Sequence, residues 1–183
     1  QLGSWVNIPN GEEVMKSTKG YIIRAPQTYS TTVPQVYTAS FKGLPNTGDL
    51  YSETLYTNTN GNWNLIGNPY PSAINADAFL THPNNSHLSG TVYLWTHMNE
   101  LAEYPGQTDF TLTYLASDYA TYNVLGYVAP NGYSQQNFDG KINSGQGFMV
   151  EAVTSGSKAF FSNAMRTIDG NNQFFRYGYA TES

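Results

Sequence analysis

The sequence predicts an all-β domain, an antiparallel β-sandwich of jelly-roll-like character with one short helix near Asn75–Leu80. Three observations lead there. Only 11% of the 183 residues are charged while 15% are aromatic, and chains rich in Tyr and Thr suit pleated sheets, where aromatic and β-branched side chains pack well. The aromatic content also opposes disorder, which goes with few aromatics and high net charge. Second, short β-type runs are separated by tight-turn dipeptides at Asn60-Gly61, Asn131-Gly132, Asp139-Gly140, Ser155-Gly156 and Asp169-Gly170. Third, one motif occurs twice. Met15–Ala25 aligns without gaps on Ile142–Ala152, sharing apolar-x-Ser-x-x-Gly-aromatic-apolar-apolar-charged-Ala. Each copy is followed by a second run containing an aromatic, Thr38–Gly43 and Lys158–Asn163, so the copies span 15–43 and 142–163. Repeated units stack and share a core.

Taken in chain order, strands are expected at Tyr21–Ala25, Gln35–Phe41, Asp49–Thr57, Trp63–Ile66, Thr91–Trp95, Ala120–Asn123, Gly147–Val153, Lys158–Phe161 and Gln173–Tyr177. Their spacing, roughly 8–12 residues between turns, is that of a sandwich or barrel. Between the fourth and fifth, Trp63-Asn64-Leu65-Ile66 runs into Gly67-Asn68-Pro69-Tyr70-Pro71-Ser72, where two prolines cannot donate ladder bonds. Tyr70-Pro71 is a candidate cis bond, since an aromatic stacked on the next proline offsets the small trans preference. Asn75 then caps a helical turn whose first turn carries Asp77, suited to the positive helix end, and whose Phe79 and Leu80 face the sheet. Segments 83–88 and 99–108 are polar loops. Trp63, Leu65, Phe79, Trp95, Phe148, Val150 and Phe161 are the expected core.

One domain spanning 1–183 accounts for this length. Because the first copy of the motif starts so close to Gln1, the chain is expected to be a module or fragment of a larger polypeptide. A net charge of -5 with eight Lys and Arg gives no basic stripe, which argues against nucleic acid as a partner. No apolar run approaches the length of a membrane span. Cysteine is absent, which removes disulfides and thiol chemistry.

The order of motifs is itself specific: WNLIGNPYPSAI, then Gly90-Thr91-Val92-Tyr93-Leu94-Trp95-Thr96-His97, Asp118–Asn123, Ser144–Phe148 and Phe161-Ser162-Asn163-Ala164-Met165-Arg166. Together with Gly20–Ala25 and Phe41–Gly48 it resembles modules of large secreted or cell-surface, adhesin-like proteins of Bacteroidetes exported by the type IX secretion system. The resemblance covers nearly the whole chain. It implies an extracellular, cell-surface setting, and sequence both before Trp5 and after Phe174-Phe175-Arg176.

The residues themselves offer little for catalysis. No Gly-x-Ser-x-Gly elbow, phosphate loop or dinucleotide fingerprint is present, and Gly145-Gln146-Gly147 precedes a strand rather than a helix. Asp77, Glu100, Glu103, Asp109 and Asp118 are the carboxylates that a hydrolytic pair would draw on, and none is expected to act as one. His82, His87 and His97 match no compact zinc spacing, so no metal residues are assigned. Asn46–Asp49 and Asp169–Asn172 carry the oxygens calcium would need, but turn formation explains them, and no cofactor is assigned. Aromatics are the remaining means of contact: Tyr70, with Asn68 on a surface ridge, and Tyr104, Tyr127 and Tyr133 in loop contexts are the candidate binding residues for glycan or protein. The expected function is that of a non-catalytic structural or adhesive module of a secreted surface protein or fibre. Its expected partners are flanking domains or neighbouring subunits met through strand edges, and surface glycans. The alternative is a carbohydrate-binding module of a polysaccharide-processing protein.

Overall fold

The computed structural model describes residues 8, 14–23, 26, 28–30, 33, 35, 36, 38, 40–57, 62–96, 102, 103, 112, 113, 118–129 and 138–170. Among them the strands run in order β1 (Leu50–Tyr51), β2 (Trp63–Gly67), β3 (Ile74–Asn75), β4 (Leu88–Trp95), β5 (Ala102–Glu103), β6 (Leu112–Thr113), β7 (Tyr119–Asn123), β8 (Gly126–Val128), β9 (Lys141–Ile142), β10 (Gly147–Ala152) and β11 (Phe160–Phe161). A helix, α1 (Ala76–Leu80), follows β3, and single 3₁₀ turns form at Pro83–Asn85 and Asn163–Met165. The fold is all-β and sandwich-like, with antiparallel pairing throughout.

One layer is a five-stranded sheet in the order β2-β10-β4-β7-β8. Side chains alternate across a strand, so the register decides which residues meet inside. Phe148 lies opposite Ile66, Val150 opposite Val92, and Leu94 opposite Ala120, and all six are buried. Helix α1 and the two-stranded β1–β11 and β3–β9 ladders supply the other side of the core. The centre is an aromatic trio. Phe79 meets Phe148 edge-on at 5.5 Å and 89°, and stacks at a tilt on Phe161 at 5.1 Å.

Helix α1 forms as its sequence directs. Asn75 keeps an extended backbone and its side chain accepts from the Ala78 N–H at 2.9 Å, while Phe79 and Leu80 are buried. Buried amides then tie the two layers together. Asn85 donates to the Phe79 and Phe160 carbonyls at 2.8 and 3.0 Å and accepts from the Phe160 N–H at 2.7 Å. Asn68 donates from its amide towards the Ser72, Ile142 and Asn143 carbonyls and accepts from the Tyr70 N–H. Without these side chains the irregular exits of β2 and α1 would bury unpaired backbone groups.

Several expectations are corrected. Tyr21–Ile23 and the described residues of 35–41 form no strand, and of 49–57 only Leu50–Tyr51 is extended in a ladder. Arg24, Ala25 and 173–177 lie outside the described residues. Trp63 is 48% exposed rather than buried in the core, and Leu65 and Trp95 are half-buried. The reason is phase. Ile66 on β2 and Val92 and Leu94 on β4 take the inner face, which turns Trp63, Leu65, Tyr93 and Trp95 outward. Tyr70–Pro71 is trans.

Candidate functional site

The duplicated motif builds the same turn twice. In the first copy the Lys19 N–H donates to the Lys16 carbonyl, and in the second the Gln146 N–H donates to the Asn143 carbonyl, at 3.3 and 3.1 Å. The aligned third residues share a left-handed backbone, φ 70° at Thr18 and 68° at Gly145. A β-branched residue in that region is unusual, so Thr18 keeps the turn despite its side chain. Both copies then reach β2, one on each side. Gly20 N–H donates to the Leu65 carbonyl and Gly67 N–H to the Thr18 carbonyl, while β10 pairs Gly147 with Gly67 and Phe148 with Ile66. The shared glycine has a steric cause at the first copy: a Cβ on Gly20 would stand 2.3 Å from the Leu65 Cγ.

Beyond the glycine the copies part. In the second, Ile142 and Val150 are 0% exposed and Phe148 is 1% exposed. In the first, the aligned Met15 and Ile23 are 50% and 54% exposed, Ile22 is also exposed, and Tyr21 is half-buried. An apolar pattern that is core in one copy is therefore surface in the other. Trp63 of β2 stands on the outward face of the sheet, edge-on to Tyr93 at 4.5 Å and 75°. Leu65 lies opposite Met149 and Trp95 opposite Tyr119 on that face. The Tyr93 hydroxyl donates to Glu151 at 3.4 Å. Burial, then the charge and hydrogen bond of Glu151, raise the Tyr93 phenol above its usual value.

Of the candidate binding tyrosines, Tyr70 is corrected. It is 1% exposed, and its hydroxyl donates to the Gly48 carbonyl at 2.6 Å, so Tyr70 is a core residue and not a surface ridge. Asn68 is buried beside it. Burial, then the charge of Asp49, push the Tyr70 phenol up to about 12. The Arg166 guanidinium lies 5.4 Å from the ring centroid. Tyr127 is half-buried on β8, packed at a tilt on Phe138 at 6.4 Å, and burial raises its phenol. Tyr104 and Tyr133 lie outside the described residues. Of the two that are described, Tyr70 is buried in the core and Tyr127 is half-buried on β8, so these two share no surface. The sequence reading missed Trp63 as a contact residue because it counted the side chain as core. Arg166, the last residue of the Phe161–Arg166 motif, carries no sequence signal of its contact with Tyr70.

Of the residues weighed for metals and catalysis, His97, Glu100 and Asp109 lie outside the described residues, and several of the described ones serve the fold. The His82 ring accepts from the Asn84 N–H and stacks on Phe160 at 4.6 Å. Asp77 accepts from the Tyr122 hydroxyl at 3.0 Å, and Asp118 is buried. Asp169 pairs with Lys141 at 3.0 Å, and its hydrogen bonds from Thr167 and Lys141 hold its carboxyl below the usual range. Asn46 donates to the Pro69 carbonyl. Among the described residues no group of three or more His, Cys, Asp or Glu comes together to hold a metal, and no helix is long and apolar enough to cross a membrane.

A family model described as a domain of unknown function (DUF8693) matches residues 1–183. No curated protein and no solved structure matches the chain.

Proposed function

We propose that this chain, which belongs to the DUF8693 family, is a non-catalytic structural or adhesive module of a secreted cell-surface protein, meeting its neighbours through the first copy of its duplicated motif. The observation that carries this is the exposure of Met15, Ile22 and Ile23, whose counterparts Ile142, Met149 and Val150 are buried or half-buried. Apolar side chains gain about 25 cal/mol for each Å² removed from water, so a motif built for burial and left outside favours a covering polypeptide. Lys19 bridges Ile66 and the Gly20 N–H meets the Leu65 carbonyl, so the first copy lies along the outer side of β2, where further extended chain can pair. The covering chain is a flanking domain of the parent protein or a neighbouring subunit. Sedimentation of the purified chain from micromolar to millimolar concentration, alone and with its flanking sequence restored, tests this. Association or docking that disappears in the Ile22→Glu, Ile23→Glu double variant, with the melting temperature unchanged, is expected. Identical behaviour of the two proteins overturns the reading. Surface labelling of intact producing cells with an antibody tests the location.

A carbohydrate-binding module is a second reading, favoured by the half-exposed Trp63 beside Tyr93 on the outward sheet face. Such rings stack on the C–H faces of sugars while their polar tips meet hydroxyls. The edge-on angle of 75° leaves Trp63 and Tyr93 without a shared plane, which favours the first reading over this one.

A further inference from the structure

The outward face of the five-stranded sheet sets a carboxylate among apolar side chains. Glu151 of β10 sits opposite Trp63 of β2, and two residues before it Met149 sits between Leu65 and Tyr93. Trp63 is 48% exposed, while Leu65, Tyr93, Met149 and Glu151 are half-buried. β4 breaks register beside Glu151. Val92 pairs with Val150 and Leu88 with Ala152, so Ser89, Gly90 and Thr91 face a single residue of β10. Bulges of this kind re-aim a side chain. A Cβ on Gly90 would meet no atom within 4 Å, so the bulge leaves room beside the carboxylate.

Glu151 is short of partners. Among the described residues its side chain accepts only from the Tyr93 hydroxyl, at Oε2 and 3.4 Å, and it joins none of the ion pairs. Glu53, Asp139 and Asp169, by contrast, each meet a lysine. A half-buried charge with no counter-charge has given up hydration without compensation, which favours an incoming cation. The surroundings distinguish which cation. Indole is the ring that attracts cations most strongly, and Leu65 and Met149 add apolar surface around Trp63. A guanidinium is planar and weakly hydrated, stacks on such a ring and presents paired N–H groups to a carboxylate. A lysine ammonium is more strongly hydrated and has no flat face to stack. Trp63 and Tyr93 already touch edge-on at 4.5 Å, so they form no open cage for a trimethylammonium group. The net charge of -5 draws cationic partners towards the chain as a whole.

We infer that this corner of the outward face binds an arginine side chain of a partner polypeptide, the guanidinium stacking on Trp63 and donating to Glu151. The site uses none of Met15, Ile22 and Ile23, so it stands or falls apart from the covering chain proposed above. NMR titration of the whole chain, following the Trp63 indole N–H, tests it with blocked alanine pentapeptides that carry arginine, citrulline or lysine at the centre. The arginine peptide is expected to bind. Citrulline keeps the shape and loses the charge, and should bind about 10- to 100-fold more weakly, the span of a lost charged hydrogen bond. The lysine peptide should be weaker by about 10-fold. Glu151→Gln should cost the arginine peptide about 10-fold or more and leave the citrulline peptide unchanged, with the melting temperature kept because no ion pair is broken. Glu53→Gln, which removes the same charge from a distant acid, should leave both unchanged. The citrulline arm uses the unaltered protein, so the result stands even where a variant folds poorly. Absence of binding, equal affinity for arginine and citrulline, tighter binding of lysine, or an equal loss for both peptides in Glu151→Gln would each overturn the inference. So would a matching loss in Glu53→Gln.

Discussion

Phe148→Ala and Tyr21→Ala remove the same motif position from the two copies, and the structure assigns them very different costs. Phe148 is 1% exposed, edge-on to Phe79 at 5.5 Å and near Phe161 at 6.5 Å. Truncating a buried phenylalanine costs about 3–5 kcal/mol, part of it from the cavity left behind. The loss of two aromatic contacts places this site at the upper end. In a domain of this size each kcal/mol moves the melting temperature by about 2–4 °C, so Phe148→Ala should lower it by about 6–20 °C. Tyr21 is half-buried, its hydroxyl accepting from the Lys16 N–H at 2.9 Å and its ring 5.2 Å from the Lys19 ammonium. Those contacts are worth about 1 kcal/mol, or a fall of a few degrees. Calorimetric melting of both variants, with urea unfolding to confirm an unchanged slope, measures the difference. Equal losses, or a Phe148→Ala change within error, would refute the claim that one copy is core and the other surface.

Three further changes follow from the packing. Asn85→Ala should cost about 2–4 kcal/mol, since it strands the Phe160 N–H and two buried carbonyls; a loss under 1 kcal/mol in urea unfolding would mean that those groups find other partners. Trp63→Ala should cost only about 1–2 kcal/mol, because an exposed ring gives up its edge-on contact with Tyr93 and little burial; a core-sized loss would restore Trp63 to the interior. Tyr70 gives a pH dependence. Its folded-state phenol is raised to about 12 against an ordinary 10.0, so its contribution is intact below pH 10 and lost as pH climbs towards 12. Melting curves between pH 8 and 12 should fall more steeply in the wild type than in Tyr70→Phe, and parallel curves would contradict the assigned shift.

The strands that sequence reading locates best are those whose environment is set by alternation within one sheet. β4, β7 and β10 show it, since Val92, Leu94, Ala120, Phe148 and Val150 repeat at period two. The reading fails where pairing, not pattern, makes the element. The β3–β9 ladder is two residues long on each side and is held by Asn68 and by the Arg166 bridge to Ile74, none of which leaves a local signal. The same limit misplaced Trp63. Its run of apolar neighbours fits a buried strand, and only the register against β10 shows that Ile66, not Trp63, points inward. Tyr70 failed in the opposite sense, because a Pro-flanked tyrosine reads as a surface loop until Gly48 and Arg166 are seen to close over it.

The duplication explains why a similar pattern ends in two environments. Both copies carry the turn in their own residues, at Lys16–Lys19 and Asn143–Gln146, and both bring a glycine to β2. They arrive out of step: Lys19 sits across from Ile66 in the first copy, but Phe148, two positions further along the motif, sits there in the second. That shift of two preserves side-chain alternation, yet it moves the aromatic of the first copy away from the Phe79–Phe161 cluster. Meanwhile β10 has a second neighbour, β4, whose Val92 and Tyr93 cover Val150 and Met149, whereas Tyr21–Ile23 form no ladder with a strand on their outer side among the described residues. Burial here is a property of having neighbours on both sides, which the motif cannot encode for itself. A chain laid along Tyr21–Ile23 would give the first copy what β4 gives the second.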